Sequence, residues 1–358
     1  MARVCVQALS DRAEQCVLCY DHQSNKQDSV DEVDGVNVYR CATQITAASQ
    51  PLSRTYGHVL EERIRRFRPD VVIFHYPNPY AAAFLLRYLP EGTRLILYWH
   101  LDIVRQKILR VFFEGQNQRL LKRADCIIAT SPNYIEGSRW LMQYREKCRV
   151  LPNCIDEEHL KYTERDALEA ERIHANPDKI ICLAVGRHVT YKGLNYLIQA
   201  SARLDDRFEI RIAGTGPMTD ELKQLAEGNP KIRFLGLVDQ DQLKENLLAC
   251  DIFCFPSVTR NEAFGIALAE AMYYGKPVVT FTIDGSGVNY VNINGVTGVE
   301  VPNADAEAYA QAMKRLADSK ELREKYGRAA RQRAVDNFLF SSYKQAVNEI
   351  FDELGDRR

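Results

Sequence analysis

Two carboxylates, Glu262 and Glu270, stand with seven residues between them in "TRNEAFGIALAEAMYYGKPVV" (259–279), a stretch otherwise suited to a turn, a buried helix and the start of a buried strand. Gly275 and then Pro277 end the helix, glycine just past the last turn and proline after it. Before them, Gly265-Ile-Ala-Leu-Ala-Glu270-Ala-Met is apolar nearly all round and so buried, with Glu270 in its second turn. A buried carboxylate is costly unless it meets a cation, a set of donors or a ligand hydroxyl. The structural alternative to a ligand is an Arg or Lys of the same domain. Glu262 lies in the preceding loop, where Phe264, Gly265 and Ile266 offer backbone N–H groups with no intrahelical acceptor. That is an anion site, and Gly265 leaves room for close approach. An acid beside an anion site does not suit phosphate itself, so Glu262 is read as contacting neighbouring hydroxyls, as on a sugar.

The elements that must position these residues are strands alternating with helices. "DVVIFHY" (70–76), "RLILYWH" (94–100), "DCIIATS" (125–131) and "CRVLPN" (148–153) recur through the first half. "KIICLAVGR" (179–187), "FEIRIAG" (208–214), "IRFLGL" (232–237), "DIFCFPS" (251–257), "PVVTFT" (277–282) and "GVEVP" (298–302) follow. Near-continuous apolar strands separated by helical patterns predict an α/β protein with two doubly wound parallel sheets. Open sheets of this kind bind ligands at the carboxyl ends of their strands. Those ends carry His75, His100-Leu-Asp102, Ser131-Pro-Asn133 and Asn153 in the first half. The second half offers Gly186-Arg187-His188, Gly214-Thr-Gly216, Pro256-Ser257 and Asp284-Gly285-Ser286-Gly287. Any one of these polar residues also suits a capping role.

At 358 residues and 41.0 kDa the chain exceeds the usual size of one core, so two domains are expected. The charge-dense stretch 156–179 marks their boundary, giving 1–160 with the last helix 340–358, and 161–339. The 47 basic and 48 acidic residues give a net charge of -1, which argues against nucleic-acid binding. No apolar run of membrane-spanning length and no signal-like start appear, so a soluble cytoplasmic protein is expected. The ten cysteines then read as reduced core residues, "CVLC" at 16–19 included, since no second Cys/His pair accompanies it to bind zinc.

The spacing Glu262-x7-Glu270, with "GRHVTYKG" (186–193), "AGTGP" (213–217), "FLGLV" (234–238) and "NGVTGVEVP" (294–302), resembles the family 4 retaining glycosyltransferases; "YWHLDIVRQK" (98–107) and "ATSPNYIEGS" (129–138) add to it. The resemblance covers nearly the whole chain. It implies the GT-B architecture: two Rossmann-like domains facing across a cleft, an activated sugar donor on the second and an acceptor on the first. By position, Arg187 and Lys192 would bind the donor diphosphate together with the amides of Phe264, Gly265 and Ile266. Glu270 would bond the nucleoside ribose, near Gly214 and Gly216, and Glu262 the transferred sugar. His100 matches the family's cleft histidine, with a capping or core role as its alternative. Two cations and helix-terminal amides stabilise a departing nucleoside diphosphate, so neither metal nor further cofactor is required. A two-carboxylate hydrolase would need both acids across the scissile bond, roughly 5–9.5 Å apart, whereas Glu270 falls at the ribose end.

The resemblance further implies a GDP- or UDP-linked sugar donor and a glycan or polyprenyl-linked acceptor, in bacterial surface-polysaccharide assembly. The basic stretch 105–123 reads either as a solvated helix face or as a peripheral contact with the inner face of the membrane. One departure stands out. Relatives open with a strand and a Gly-Gly loop, whereas the stripe Val6, Leu9, Ala13 starts a helix almost at residue 2. That strand is expected to be missing from the first sheet. The alternatives are therefore a truncated, impaired nucleotide-sugar-binding protein, or a sugar-nucleotide epimerase of the same architecture. At the other end, a last helix with the stripe Tyr343, Val347, Ile350, Phe351 is expected to return to the first domain, and closure of the domains to assemble the site.

Overall fold

The computed structural model describes residues 1–21, 27–47, 50–102 and 107–355. The chain forms two compact units: residues 1–129, 138–151 and 344–358 in the first, 130–137 and 152–343 in the second. Against the expected 160/161 and 339/340, the seams fall at Leu151/Pro152 and Tyr343/Lys344, and the short segment Thr130–Gly137 packs with the second unit.

The first unit opens with a helix, Ala2–Ala8, where the apolar stripe begins. Its strands are β1 (Cys16–Tyr20), β2 (Ser29–Val33), β3 (Val36–Cys41), a small ribbon of β4 (Ile45–Ala47) and β5 (Gln50–Leu52), then β6 (Val71–Tyr76), β7 (Arg94–Trp99), β8 (Cys126–Ala129) and β9 (Cys148–Val150). Among the described residues they form a β1-β3-β2 sheet, the ribbon, and a parallel β6-β7-β8-β9 sheet. β7 is buried at nearly every position because helices cover both faces of the parallel sheet. Residues 344–355 of the last helix, Phe340–Gly355, belong here and are tied by Arg12 to Asp352 at 2.7 Å and Arg149 to Glu353 at 2.7 Å. Val347 and Ile350 supply its buried face.

The second unit holds β10 (Ile180–Val185), β11 (Phe208–Ala213), β12 (Ile232–Gly236), β13 (Ile252–Phe255), β14 (Val278–Phe281) and β15 (Gly298–Val301). The sheet is parallel, in the order β12-β11-β10-β13-β14-β15. Chain order reverses between β10 and β13, which is the switch point where doubly wound sheets bind ligands. "IICLAV" and "IFCF" lie at the centre of its core, with Leu268, Met272 and Tyr309 packed over them. Asp239 and Gln242 cap each other's backbone N–H groups at the start of the helix Gln240–Ala249, a capping box that fixes which side chains this helix presents at the carboxyl edge of the sheet.

All ten cysteines are unbridged. Cys16 and Cys19 lie on β1, where residues three apart point to opposite faces, so the pair cannot close on one metal ion. Burial raises both thiols above their usual pKa.

Candidate functional site

The loop after β13 carries Glu262 to the carboxyl edge of the second sheet, and three neighbours brace it. Arg260 donates to the carbonyl of Gly137, Ser286 Oγ to the carbonyl of Glu262, and Thr130 Oγ1 to the carbonyl of Ala263 at 2.9 Å. With its backbone held, the Glu262 carboxylate meets Lys192 Nζ at 2.5 Å and accepts from Ser257 Oγ at 3.1 Å. Both charged side chains are largely buried, at 15% and 12% exposure, so this is a partly desolvated pair and not a surface ion pair. Lys192 also stands 4.7 Å from the centroid of the Phe255 ring. Lys192 and Glu262, seventy positions apart in the chain, are thus one unit of chemistry.

Behind the loop runs the helix Ile266–Tyr273. Gly265 caps it at φ 93°, a left-handed conformation that glycine adopts without strain, and a Cβ there would press on the Phe255 ring at 3.1 Å. The first intrahelical bond is Leu268 N–H to the carbonyl of Gly265 at 3.1 Å, so the N–H groups of Phe264, Gly265 and Ile266 precede the ladder.

Glu270 lies one turn on and is half-buried. Its carboxylate has no cation or hydrogen-bond donor among the described residues, and burial raises its pKa above the ordinary carboxylate value. It opens into a cavity of about 240 Å³ lined by Asp156, His159, Leu160, Gln240, Leu243 and Lys244. Lys244, in that cavity, is held by Asp241 at 2.8 Å and Asp166 at 3.5 Å. The same-domain cation that was the structural alternative for Glu270 is not paired with it.

Gly214 follows β11 at φ 123°, and a Cβ there would lie 2.0 Å from the carbonyl of Gly186, which follows β10; at Gly216 it would meet the His188 carbonyl at 2.4 Å. These glycines let two strand ends close on each other, a packing role that was not read from the sequence. The exposed Arg187 guanidinium has no partner among the described residues, while His188 is buried with Nδ1 at 2.9 Å from Thr219 Oγ1.

In the first unit His100 follows β7, its N–H bonded to the Tyr76 carbonyl at 3.1 Å. His75 Nδ1 lies 2.8 Å from His100 Nε2. Burial lowers the pKa of His75 to about 4 and that of His100 to about 3, so both rings are neutral near pH 7. This pairing was not read from the sequence, although both residues stood among the strand-end positions. Of the basic stretch 105–123, residues 105 and 106 lie outside the described residues; the rest forms the helix Lys107–Arg123. Arg123 donates to the Pro90 carbonyl at 2.9 Å, which anchors it to a loop, whereas Arg119 and Lys122 are exposed. No helix among the described residues is long and apolar enough to cross a membrane.

Residues 2–154 match the model of the glycosyl transferase 4-like domain, and 166–333 that of glycosyl transferases group 1. The chain is 36% identical over 267 residues to a D-rhamnosyltransferase of Pseudomonas aeruginosa, covering 74% of this chain and 68% of that one. It is 31% identical over 288 residues to the O-antigen chain mannosyltransferase C of Escherichia coli, covering 80% and 76%. Sucrose-phosphate synthase from Thermosynechococcus elongatus superposes with a TM-score of 0.80 at 19% identity, covering 100% of this chain and 93% of that one. The Anabaena HepE complex with UDP-glucose gives 0.74 at 15% identity, covering 94% and 99%.

Proposed function

The chain belongs to the group 1 glycosyltransferases, with the GT-B fold, and from that premise we propose that it transfers a sugar, with retention of configuration, from a GDP- or UDP-linked donor to a glycan or polyprenyl-linked acceptor in bacterial surface-polysaccharide biosynthesis. The observation that carries the donor site is Glu270: a half-buried carboxylate without a partner among the described residues, at the edge of a cavity, is what a ribose diol would satisfy. The relatives named for rhamnosyl and O-antigen mannosyl transfer support the polysaccharide setting, and the UDP-glucose complex of a structural neighbour supports a nucleotide-sugar donor.

In this reading the nucleoside lies in the cavity at Glu270. Its diphosphate reaches Arg187, Lys192 and the N–H groups of Phe264, Gly265 and Ile266. The leaving diphosphate gains charge as the glycosidic bond breaks, and positive groups already in place there lower the barrier without reorganising. No metal is asked to do this. Lys192 serves two masters: paired with Glu262 in the free protein, it holds that carboxylate in place, and it donates to phosphate when the donor binds. Glu262 then faces the transferred sugar as hydrogen-bond acceptor for its hydroxyls, and His100 is the histidine assigned to donor contact. Arg119 and Lys122 are the basic groups that would touch an anionic cytoplasmic leaflet, and flotation with anionic liposomes at low and high salt reads that contact.

The donor reading is tested by calorimetric titration of the full chain with UDP, GDP, ADP and dTDP, with Glu270→Ala beside it. Saturable binding of UDP or GDP by the wild type, lost in the variant, is expected. Binding of none of the four, or equal binding by the variant, overturns the assignment.

A further inference from the structure

We propose that His75 is a positioning residue for His100: it fixes the His100 ring and its tautomer, so that Nδ1–H of His100 is the group offered to a phosphate or sugar oxygen. The inference rests on the reading that His100 meets the donor.

The geometry comes from the register of the first parallel sheet. β6 and β7 pair His75 with Tyr98, and His100 follows Tyr98 by two residues, on the same face. The two imidazoles approach with Nδ1 of His75 at 2.8 Å from Nε2 of His100, ring centroids 5.1 Å apart and planes 9° apart. A centroid separation equal to the N···N distance plus a ring radius at each end means the rings lie edge to edge in one plane, not face to face. The bond therefore runs along the in-plane lone pair, its best direction. The Tyr98 ring lies nearly parallel to both, at 15° to His75 and 16° to His100, with centroids 5.1 and 4.5 Å away.

Two neutral imidazoles joined this way share a single hydrogen, one ring donating and the other accepting. Nε2 of His100 is committed in either case, which leaves Nδ1 to face a ligand. Phosphate oxygens only accept, so the productive arrangement has His75 donating from Nδ1, His100 accepting at Nε2, and His100 donating from Nδ1. The hydrogen bond on one ring nitrogen sets the proton on the other. Besides the two rings, the groups acting on the pair are the Tyr98 phenol and the amino group of Met1. Burial and that amino group disfavour the imidazolium, so the pair stays in its neutral form.

The test uses the full chain and three variants, His75→Ala, His75→Asn and His100→Ala. Long-range 15N–1H spectra of the histidine side chains read the tautomer without ligand, and turnover of the donor that binds reads the chemistry. The expected wild-type pattern is Nδ1–H at His100, shifting in His75→Ala to the Nε2–H form or a mixture. Turnover in His75→Ala falls by about tenfold, the loss of one well-placed hydrogen bond, with nucleoside-diphosphate affinity unchanged. His75→Asn, whose amide can donate near the Nδ1 position, recovers both. An Nε2–H pattern at His100 in the wild type overturns the proposal, even if His75→Ala fails to fold. So does a His75→Ala protein with unaltered tautomer and turnover while His100→Ala is inactive. A His100→Ala variant with full turnover removes the role of His100 itself, a different failure, and the spectra still decide whether His75 sets the tautomer.

Discussion

Replacing Glu270 by Gln should move stability and binding in opposite directions. The carboxylate is half-buried, has no cation or donor among the described residues, and has a pKa raised by burial. An acid whose folded pKa lies above its unfolded value binds its proton more tightly when folded, so its ionised form costs stability. That cost is fully present above the folded pKa, shrinks as pH falls, and is gone below the unfolded value of about 4.3. Each unit of upward displacement is worth about 1.4 kcal/mol. Gln keeps the shape and removes the charge. The variant should therefore be more stable than the wild type at pH 8, with the difference closing near pH 4. For a unit of roughly 150–250 residues, 1 kcal/mol moves the melting point by about 2–4 °C, which a thermal scan resolves. Binding changes the other way. Ribose hydroxyls donating to a carboxylate are charge-assisted bonds worth about 1.5–3 kcal/mol, so the nucleoside diphosphate should bind about 10- to 150-fold more weakly. Thermal unfolding at both pH values and calorimetric titration at pH 8 read the two effects. A Gln variant less stable at pH 8, or one that binds equally well, would refute the reasoning, because either result means the carboxylate serves the fold and not a ligand.

Two further outcomes follow from the same geometry. Lys192→Ala leaves Glu262, 12% exposed, with Ser257 as its remaining partner, and should cost about 3 kcal/mol; adding Glu262→Gln should recover most of that loss, a coupling that a double-mutant cycle measures and that additive effects would contradict. Gly214→Ala puts a methyl 2.0 Å from the Gly186 carbonyl at a left-handed φ, and should lower stability by more than about 1 kcal/mol, whereas Gly92→Ala, facing open space, should change it by less than about 0.5 kcal/mol; equal effects in urea titrations would contradict the close approach.

Much of the second unit is legible in sequence because its strands are short, largely apolar and followed by glycine or polar turns. "IICLAV", "FEIRIA" and "IFCF" need no tertiary information to be recognised. What sequence withholds is pairing. That Lys192 falls on Glu262, and His75 on His100, depends on strand order and register, which no local propensity encodes. The absence of a cation beside Glu270 among the described residues is likewise a fact about space, and so is the capture of Arg123 by the Pro90 carbonyl, which anchors one charge of the basic stretch to a loop. The β2–β3 hairpin is legible only at its turn: Asp34-Gly35, both at positive φ, is the usual signature of a two-residue turn, but its flanks "SVDEV" and "VNVYRC" lack the continuous apolar run of a parallel strand. The segment Thr130–Gly137 directly follows β8 in the chain, yet Arg260 and Ala263 hold it to the Glu262 loop.

Retaining transfer from a nucleotide sugar is tested most directly by the anomeric configuration of the first product. The donor that binds, UDP-glucose or GDP-mannose, is incubated with the full chain, and its slow transfer to water is followed by proton NMR before mutarotation. Both donors carry an α-linked sugar, so the account predicts that the α-hexose appears first, at a rate abolished in Glu262→Ala. A β-hexose as first product would contradict retention.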